Sequence, residues 1–204
     1  MEPFDTETFL GVSRYDGAEL LAFTQRWPLG VPNTSAYYNQ STAASVPLGR
    51  FPSFAVGNSS AASVELNWFA FTGCQIQFTG FGRWATSGPG RFQAGGAQET
   101  MPLVLYNRTL RAVAVSPSTN YFNAIHDTAS SGGAMLAAGP MASVWTLPPG
   151  FAHTTLIAGG QGINETMTRL GTALLAESGK TPVNPLNESF VLSHLGYWVD
   201  NGAP

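Results

Sequence analysis

Residues 63–71 read Ser-Val-Glu-Leu-Asn-Trp-Phe-Ala-Phe, SVELNWFAF. In an extended chain successive side chains point to opposite faces, so Val64, Leu66, Trp68 and Ala70 fall on one face. A helical period would scatter the same four residues around the axis. The next stretch, CQIQFTG at 74–80, also alternates and turns Cys74, Ile76 and Phe78 one way. Thr72 and Gly73 between the two runs predict a tight hairpin, because glycine accepts a positive φ.

Working outward, MPLVLY (101–106) and TLRAVAV (109–115) predict a second hairpin around Asn107 and Arg108. FLGVSRY, ELLAFTQRW, YFNAIH, AMLAAG and ASVWTL are further strand candidates, separated by breaks such as TSGPGRFQAGG and TLPPGF. Many short strands with turn signals between them predict an antiparallel β-sandwich over residues 1–158.

The pattern changes after that. TTLIAGGQG reads as a strand running into glycines, and Met167, Leu170 and Leu174 then recur at helical spacing. A helix over 165–178 is expected. Asn164 suits its N-cap, Glu165 the positive end of its dipole, Gly179 a left-handed C-terminal cap, and Pro182 blocks continuation. ESFVLSHLGYW then reads as a strand buried on both faces.

Composition narrows the function classes. The chain has 204 residues, 44% of them hydrophobic and 10% charged, against about 25% charged in an average soluble protein. Polarity carried by Ser, Thr, Asn and Gln fits a secreted or lumenal β protein. The net charge is −3 with no basic run, so no row of phosphates would be neutralised and nucleic acid is not an expected partner. No apolar run is long enough to span a bilayer, so no membrane partner is expected either. The opening MEPFDTETFL lacks the apolar segment of a signal peptide. Cys74 stands alone, which leaves no internal disulfide. Asn-x-Ser/Thr sequons at Asn33, Asn39, Asn58, Asn107, Asn164 and Asn187 would accept glycans in a secretory chain. A sequence rich in Asn, Ser and Thr also generates such triplets by chance.

Gly159, Gly160 and Gly162 lie between a strand and a helix, where a dinucleotide fingerprint would sit. The third glycine position holds Asn164, and no acidic residue follows at the ribose-binding offset. A structural turn, with no nicotinamide or flavin cofactor, is the expectation. His126 with Asp127, His153 and His194 show no metal-ligand spacing, and Ser130 and Ser131 before Gly132 and Gly133 form no nucleophile elbow. Trp27, Trp68, Trp84 and Trp145 fall in strand patterns, where core packing is the default.

The final run, LGYWVDNGAP (195–204), is of another kind. Tyr197 and Trp198 end the expected strand, and Asp200, Asn201 and Gly202 follow it. An aromatic face packs against the C–H face of a pyranose, while a carboxylate or amide bonds its hydroxyls. An Asp-Asn-Gly turn after a strand is the plainer alternative.

The stretch from GGQGINETMTRLGTALL to LGYWVDNGA resembles eukaryotic proteins carrying a Tyr-Trp-Thr-Asp-Asn-Gly-Ala motif, which are similar in turn to the α-galactosidase and raffinose-synthase group of glycosidases. Val199 replaces the usual Thr, and Pro204 stands where that group continues with tyrosines. The resemblance covers about the last fifth of the chain. It implies a sandwich at 1–158, a bridging turn and helix at 159–188, and at 189–204 the first strand of an incomplete (β/α)8 barrel. It also implies sugar contacts from Trp198 and Asp200, beside Tyr197 and Asn201. A retaining glycosidase needs two carboxylates across the scissile bond, and these would come from later barrel strands. The expectation is therefore a truncated, non-catalytic N-terminal part of an enzyme that hydrolyses or transfers α-galactoside-like sugars. Its partners would be carbohydrate and the missing barrel segment. A free-standing β-sandwich that binds glycans or another protein is the alternative.

Overall fold

The computed structural model describes residues 8–15, 19–34, 48–56, 66–71, 79–83, 102–127, 135–182 and 190–194. The chain divides into two units, Met1–Gly171 and Thr172–Pro204.

The first unit is mainly β, and every strand pairing in it is antiparallel. Its strands are β1 (Phe9–Tyr15), β2 (Leu20–Trp27), β3 (Ser53–Ala55), β4 (Leu66–Phe71), β5 (Thr79–Arg83), β6 (Leu103–Asn107), β7 (Arg111–Pro117), β8 (Ala124–Asp127), β9 (Met135–Pro140) and β10 (Phe151–Gln161). Seven form one sheet in the order β1-β2-β10-β7-β6-β4-β5, and three form another in the order β3-β9-β8.

Register decides which side chains share a face. Ala70 lies opposite Leu103, Leu103 opposite Val115, and Trp68 opposite Leu105. Residues opposite each other project to the same side, and these meet Leu136 and Ala138 of β9, with Val56, in one buried cluster. Leu66, Trp68 and Ile157 pack against it. The two sheets therefore share a core. Phe23 of β2 extends that core, its ring meeting Phe54 of β3 and Phe51 edge-on, each at 5.5 Å.

The other face of the large sheet carries Ala22, Ala112, Ala114, Leu156 and Ala158, all buried. Here the start of helix α1 (Gly162–Glu177) lies close. A Cβ on Gly160 would sit 2.8 Å from the Thr166 hydroxyl and 3.0 Å from its backbone nitrogen. The Thr166 hydroxyl donates to the Gly162 carbonyl at 2.8 Å. Glu165 reaches back to accept from the Gln161 N–H at 2.9 Å, in the manner of a capping box. Arg169 pairs with Glu19 at 2.5 Å and Glu165 at 3.0 Å, and also donates to the Gly159 carbonyl.

The hairpin β6–β7 turns at 108–110. Leu110 N–H donates to the Asn107 carbonyl at 3.2 Å, and Leu110 itself takes φ +60°. The Asn107 side-chain oxygen accepts from Thr109 N (3.0 Å), Thr109 Oγ1 (2.9 Å) and Arg111 N (3.0 Å).

In the second unit, α1 ends as its glycine predicts. Gly179 has φ +66°, and Lys180 N–H reaches the Leu175 carbonyl at 2.8 Å, closing a Schellman-type cap.

Several expectations need correction. Phe71 pairs with Thr79, so the register of β4 against β5 is not the one that pairing of 63–71 with 74–80 would set. The expected turn at Thr72 and Gly73, with Cys74, Ile76 and Phe78, lies outside the described residues, as does Trp84. Asn164 is inside the helix, which starts at Gly162, so it is not the N-cap. ASVWTL makes a turn and one isolated bridge, Val31 to Leu147, because its groups bond to loops and not to a neighbouring strand. At the expected buried strand, Phe190–Ser193 is a helical turn and Phe190 is exposed. Ser193 Oγ and His194 Nδ1 both lie within hydrogen-bond distance of the Phe190 carbonyl, at 3.1 and 2.9 Å, and the Phe190 and His194 rings stack at 4.1 Å. Contacts three and four residues apart are the neighbours a helix provides.

Candidate functional site

Three connections meet at one end of the two sheets: 28–34 after β2, 118–123 after β7, and 141–150 between β9 and β10. Their sequences, PLGVPNT, STNYFN and MASVWTLPPG, contain no charged residue.

Backbone bonds tie them together. Val31 and Leu147 exchange two bonds of 2.9 Å. Thr34 N–H donates to the Trp145 carbonyl at 3.0 Å, and Thr34 Oγ1 to the Val144 carbonyl at 2.5 Å. Met141 N–H donates to the Asn123 carbonyl at 2.7 Å. Asn120, in a left-handed conformation at φ 53°, donates from Nδ2 to the Ala152 carbonyl at 2.5 Å. Gly30 at φ +69° passes so close to the 147–149 backbone that a Cβ would lie 2.5 Å from the Leu147 carbonyl oxygen. Only glycine fits there.

The tied loops hold aromatic rings out of the core. Phe122 is 90% exposed and Trp145 63% exposed, with Leu29 at 64%. Trp145 is thus not the core residue its sequence context predicts, whereas Trp27 is buried and Trp68 packs against the inter-sheet cluster. Sequence reasoning missed Phe122 and Trp145. The signals were present: Phe122 lies between Asn120 and Asn123, and Trp145 precedes Pro148 and Pro149.

Beneath this end the inter-sheet space turns polar. Gln25 of β2 lies directly opposite His153 of β10, so both face the smaller sheet. On β8, His126 lies opposite Ala138, one of the inter-sheet core residues, so it faces the large sheet. Gln25, His153, Thr155 and His126 are all buried. His153 Nε2 lies 3.2 Å from Thr155 Oγ1. Burial pushes the His153 pKa down to about 4; the Thr119 backbone opposes this in part, and His126 nearby adds to it. Burial likewise raises the Tyr121 phenol, with a hydrogen bond to Ser116 working against it. Asp127 is buried and lies 3.7 Å from the half-exposed Arg50. Among the described residues no three His, Cys, Asp or Glu side chains converge as metal ligands.

Of the residues the sequence singled out, Tyr197, Trp198, Asp200 and Asn201 lie outside the described residues, as do Asn39, Asn58 and Asn187. Asn33 is exposed on the aromatic loop end, Asn107 sits at its hairpin tip, and Asn164 is exposed in the first turn of α1. Gly159 and Gly160 are strand residues paired with Val113 and Ala112, and the glycine at 160 serves the close approach of Thr166.

These features define an antiparallel β protein with an uncharged, aromatic loop end. Set against known proteins, the chain matches no family model, no curated protein and no solved structure.

Proposed function

We propose that the first unit is a non-catalytic β-sandwich module that binds uncharged glycans through its loop end. The core shared by the two sheets supports the sandwich. One observation carries the binding assignment: Phe122 and Trp145 stand exposed on loops that hold no charged residue. Exposing large rings to water forfeits the burial that would otherwise stabilise the fold. Loops cross-tied by backbone bonds hold them there at little further entropy cost on binding. Asn, Ser and Thr around them supply the donors and acceptors that sugar hydroxyls require. A nucleotide or other phosphate ligand would call for cations, and these loops have none.

The same reading gives the sequons a place. At Asn107 three donors occupy the amide oxygen, which turns the other end of the carboxamide, Nδ2, away from the turn. A secretory or lumenal route, with glycans at sequons such as Asn33 and Asn107, belongs to this proposal. The test is a glycan array probed with the wild type and with Phe122→Ala and Trp145→Ala. Binding of neutral oligosaccharides that weakens about tenfold in each variant, equivalent to ~1.4 kcal/mol, supports the assignment. Equal binding by all three proteins sinks it.

A second reading places the module in the N-terminal part of a glycosidase-like protein, with Trp198 and Asp200 contacting sugar. It rests on the resemblance of the stretch from GGQGINETMTRLGTALL to LGYWVDNGA, and the helical turn at Phe190–Ser193 weighs against the barrel strand it requires.

A further inference from the structure

We infer that an ordered water molecule is bound between the two sheets, bridging the Gln25 amide and the His153 ring. Both atoms of the Gln25 amide and Nδ1 of His153 are buried without a well-aligned hydrogen-bond partner; the Thr119 backbone lies near enough to act on the His153 ring but makes no bond of good geometry with Nδ1. Gln25 and His153 are each 0% exposed. Three orphaned polar atoms on adjacent strands would be costly, since an unsatisfied buried group forfeits its full hydration.

Their positions fit one guest. Gln25 and His153 are register partners, which sets their Cβ atoms about 4.5–5.5 Å apart on the same face. The other His153 nitrogen is already engaged with Thr155 Oγ1 at 3.2 Å, so Nδ1 is the ring atom left for the guest. His126 of β8, 2% exposed, is near enough to act electrostatically on His153 and adds a further polar group to the inter-sheet space. Gly49 closes the amide side: a Cβ there would lie 2.6 Å from Gln25 Nε2, with the Trp27 ring also at hand.

Size and hydrogen-bond capacity select water. The walls are fully buried, so nothing much larger enters without opening the sheets. A buried water needs two to four polar partners. Gln25 offers an acceptor oxygen and an NH2 group with two donors, and His153 Nδ1 is a donor or an acceptor according to the tautomer its Thr155 bond selects. Water, which both donates and accepts, satisfies either tautomer.

The test has two arms. A crystal structure of the wild-type chain at better than about 2 Å should show a water within hydrogen-bond distance, about 2.7–3.2 Å, of both Gln25 and His153 Nδ1. Thermal unfolding of Gln25→Met supplies the second arm. A water-satisfied amide makes this near-isosteric change destabilising, lowering Tm by about 3 °C or more. An orphaned amide makes it stabilising, because the buried penalty disappears. A raised Tm, a direct Gln25–His153 bond, or a transition metal in anomalous maps would each overturn the inference.

Discussion

Acidification should destabilise this protein through His153. The unfolded imidazole titrates near its ordinary value of 6.5, while in the folded chain burial holds it at about 4. Above pH 6.5 both states are neutral and the group does not affect stability. Between 6.5 and 4 the unfolded state binds a proton that the folded state refuses, so stability falls with pH. The gap of 2.5 units, at 1.36 kcal/mol each, amounts to about 3 kcal/mol lost by pH 4. That is a sizeable share of the 5–15 kcal/mol typical of a domain. The assay is urea unfolding at pH 7 and pH 4 for the wild type and for His153→Gln, which keeps a hydrogen-bonding side chain but cannot titrate. The variant should lose about 3 kcal/mol less than the wild type over this interval. The Asp127–Arg50 pair is present in both proteins and cancels, while the coupling of His153 to His126 is counted with His153 in the difference. Equal losses in both proteins would refute the burial argument.

Gly160→Ala should destabilise by about 1–3 kcal/mol in chemical unfolding, because the new methyl meets the Thr166 hydroxyl and backbone nitrogen at 2.8 and 3.0 Å. Leu110→Asn should do the opposite: Leu110 is exposed at φ +60°, a conformation that costs an ordinary residue about 1–2 kcal/mol and that Asn tolerates better. A gain of roughly 0.5–1 kcal/mol is expected, and a loss would show that the Leu110 side chain packs in solution.

How much of this was readable in advance depended on whether the deciding contact was local. FLGVSRY matches β1 at Phe9–Tyr15, and the pairing of β6 with β7 follows from alternation around a short turn. The Leu66, Trp68 and Ala70 face was legible from period alone. The cap at Gly179 was legible because glycine chemistry is local. The register of β4 against β5 was not, since Thr72-Gly73 resembles a tight turn while the pairing of Phe71 with Thr79 is set by the sheet. FVLSH is a short apolar run of a kind that period cannot assign, and a strand also needs a partner strand that sequence does not display. The opposition of Gln25 and His153, and the view of His126 across the sheets, exist only in the fold. The aromatic loop end was hidden for the same reason: a tryptophan in ASVWTL looks like core until its neighbours bond to loops instead of strands.

The most direct measurement of the central claim is two-dimensional NMR of the isotope-labelled chain titrated with a neutral oligosaccharide selected on the array. The account predicts shifts concentrated at residues 28–34, 118–123 and 141–150, with the Trp145 indole N–H among the largest, little dependence on salt, and loss of the response in a folded Phe122→Ala, Trp145→Ala double variant. Shifts confined to β1 or to residues 195–204, or an undiminished response in the double variant, would contradict it.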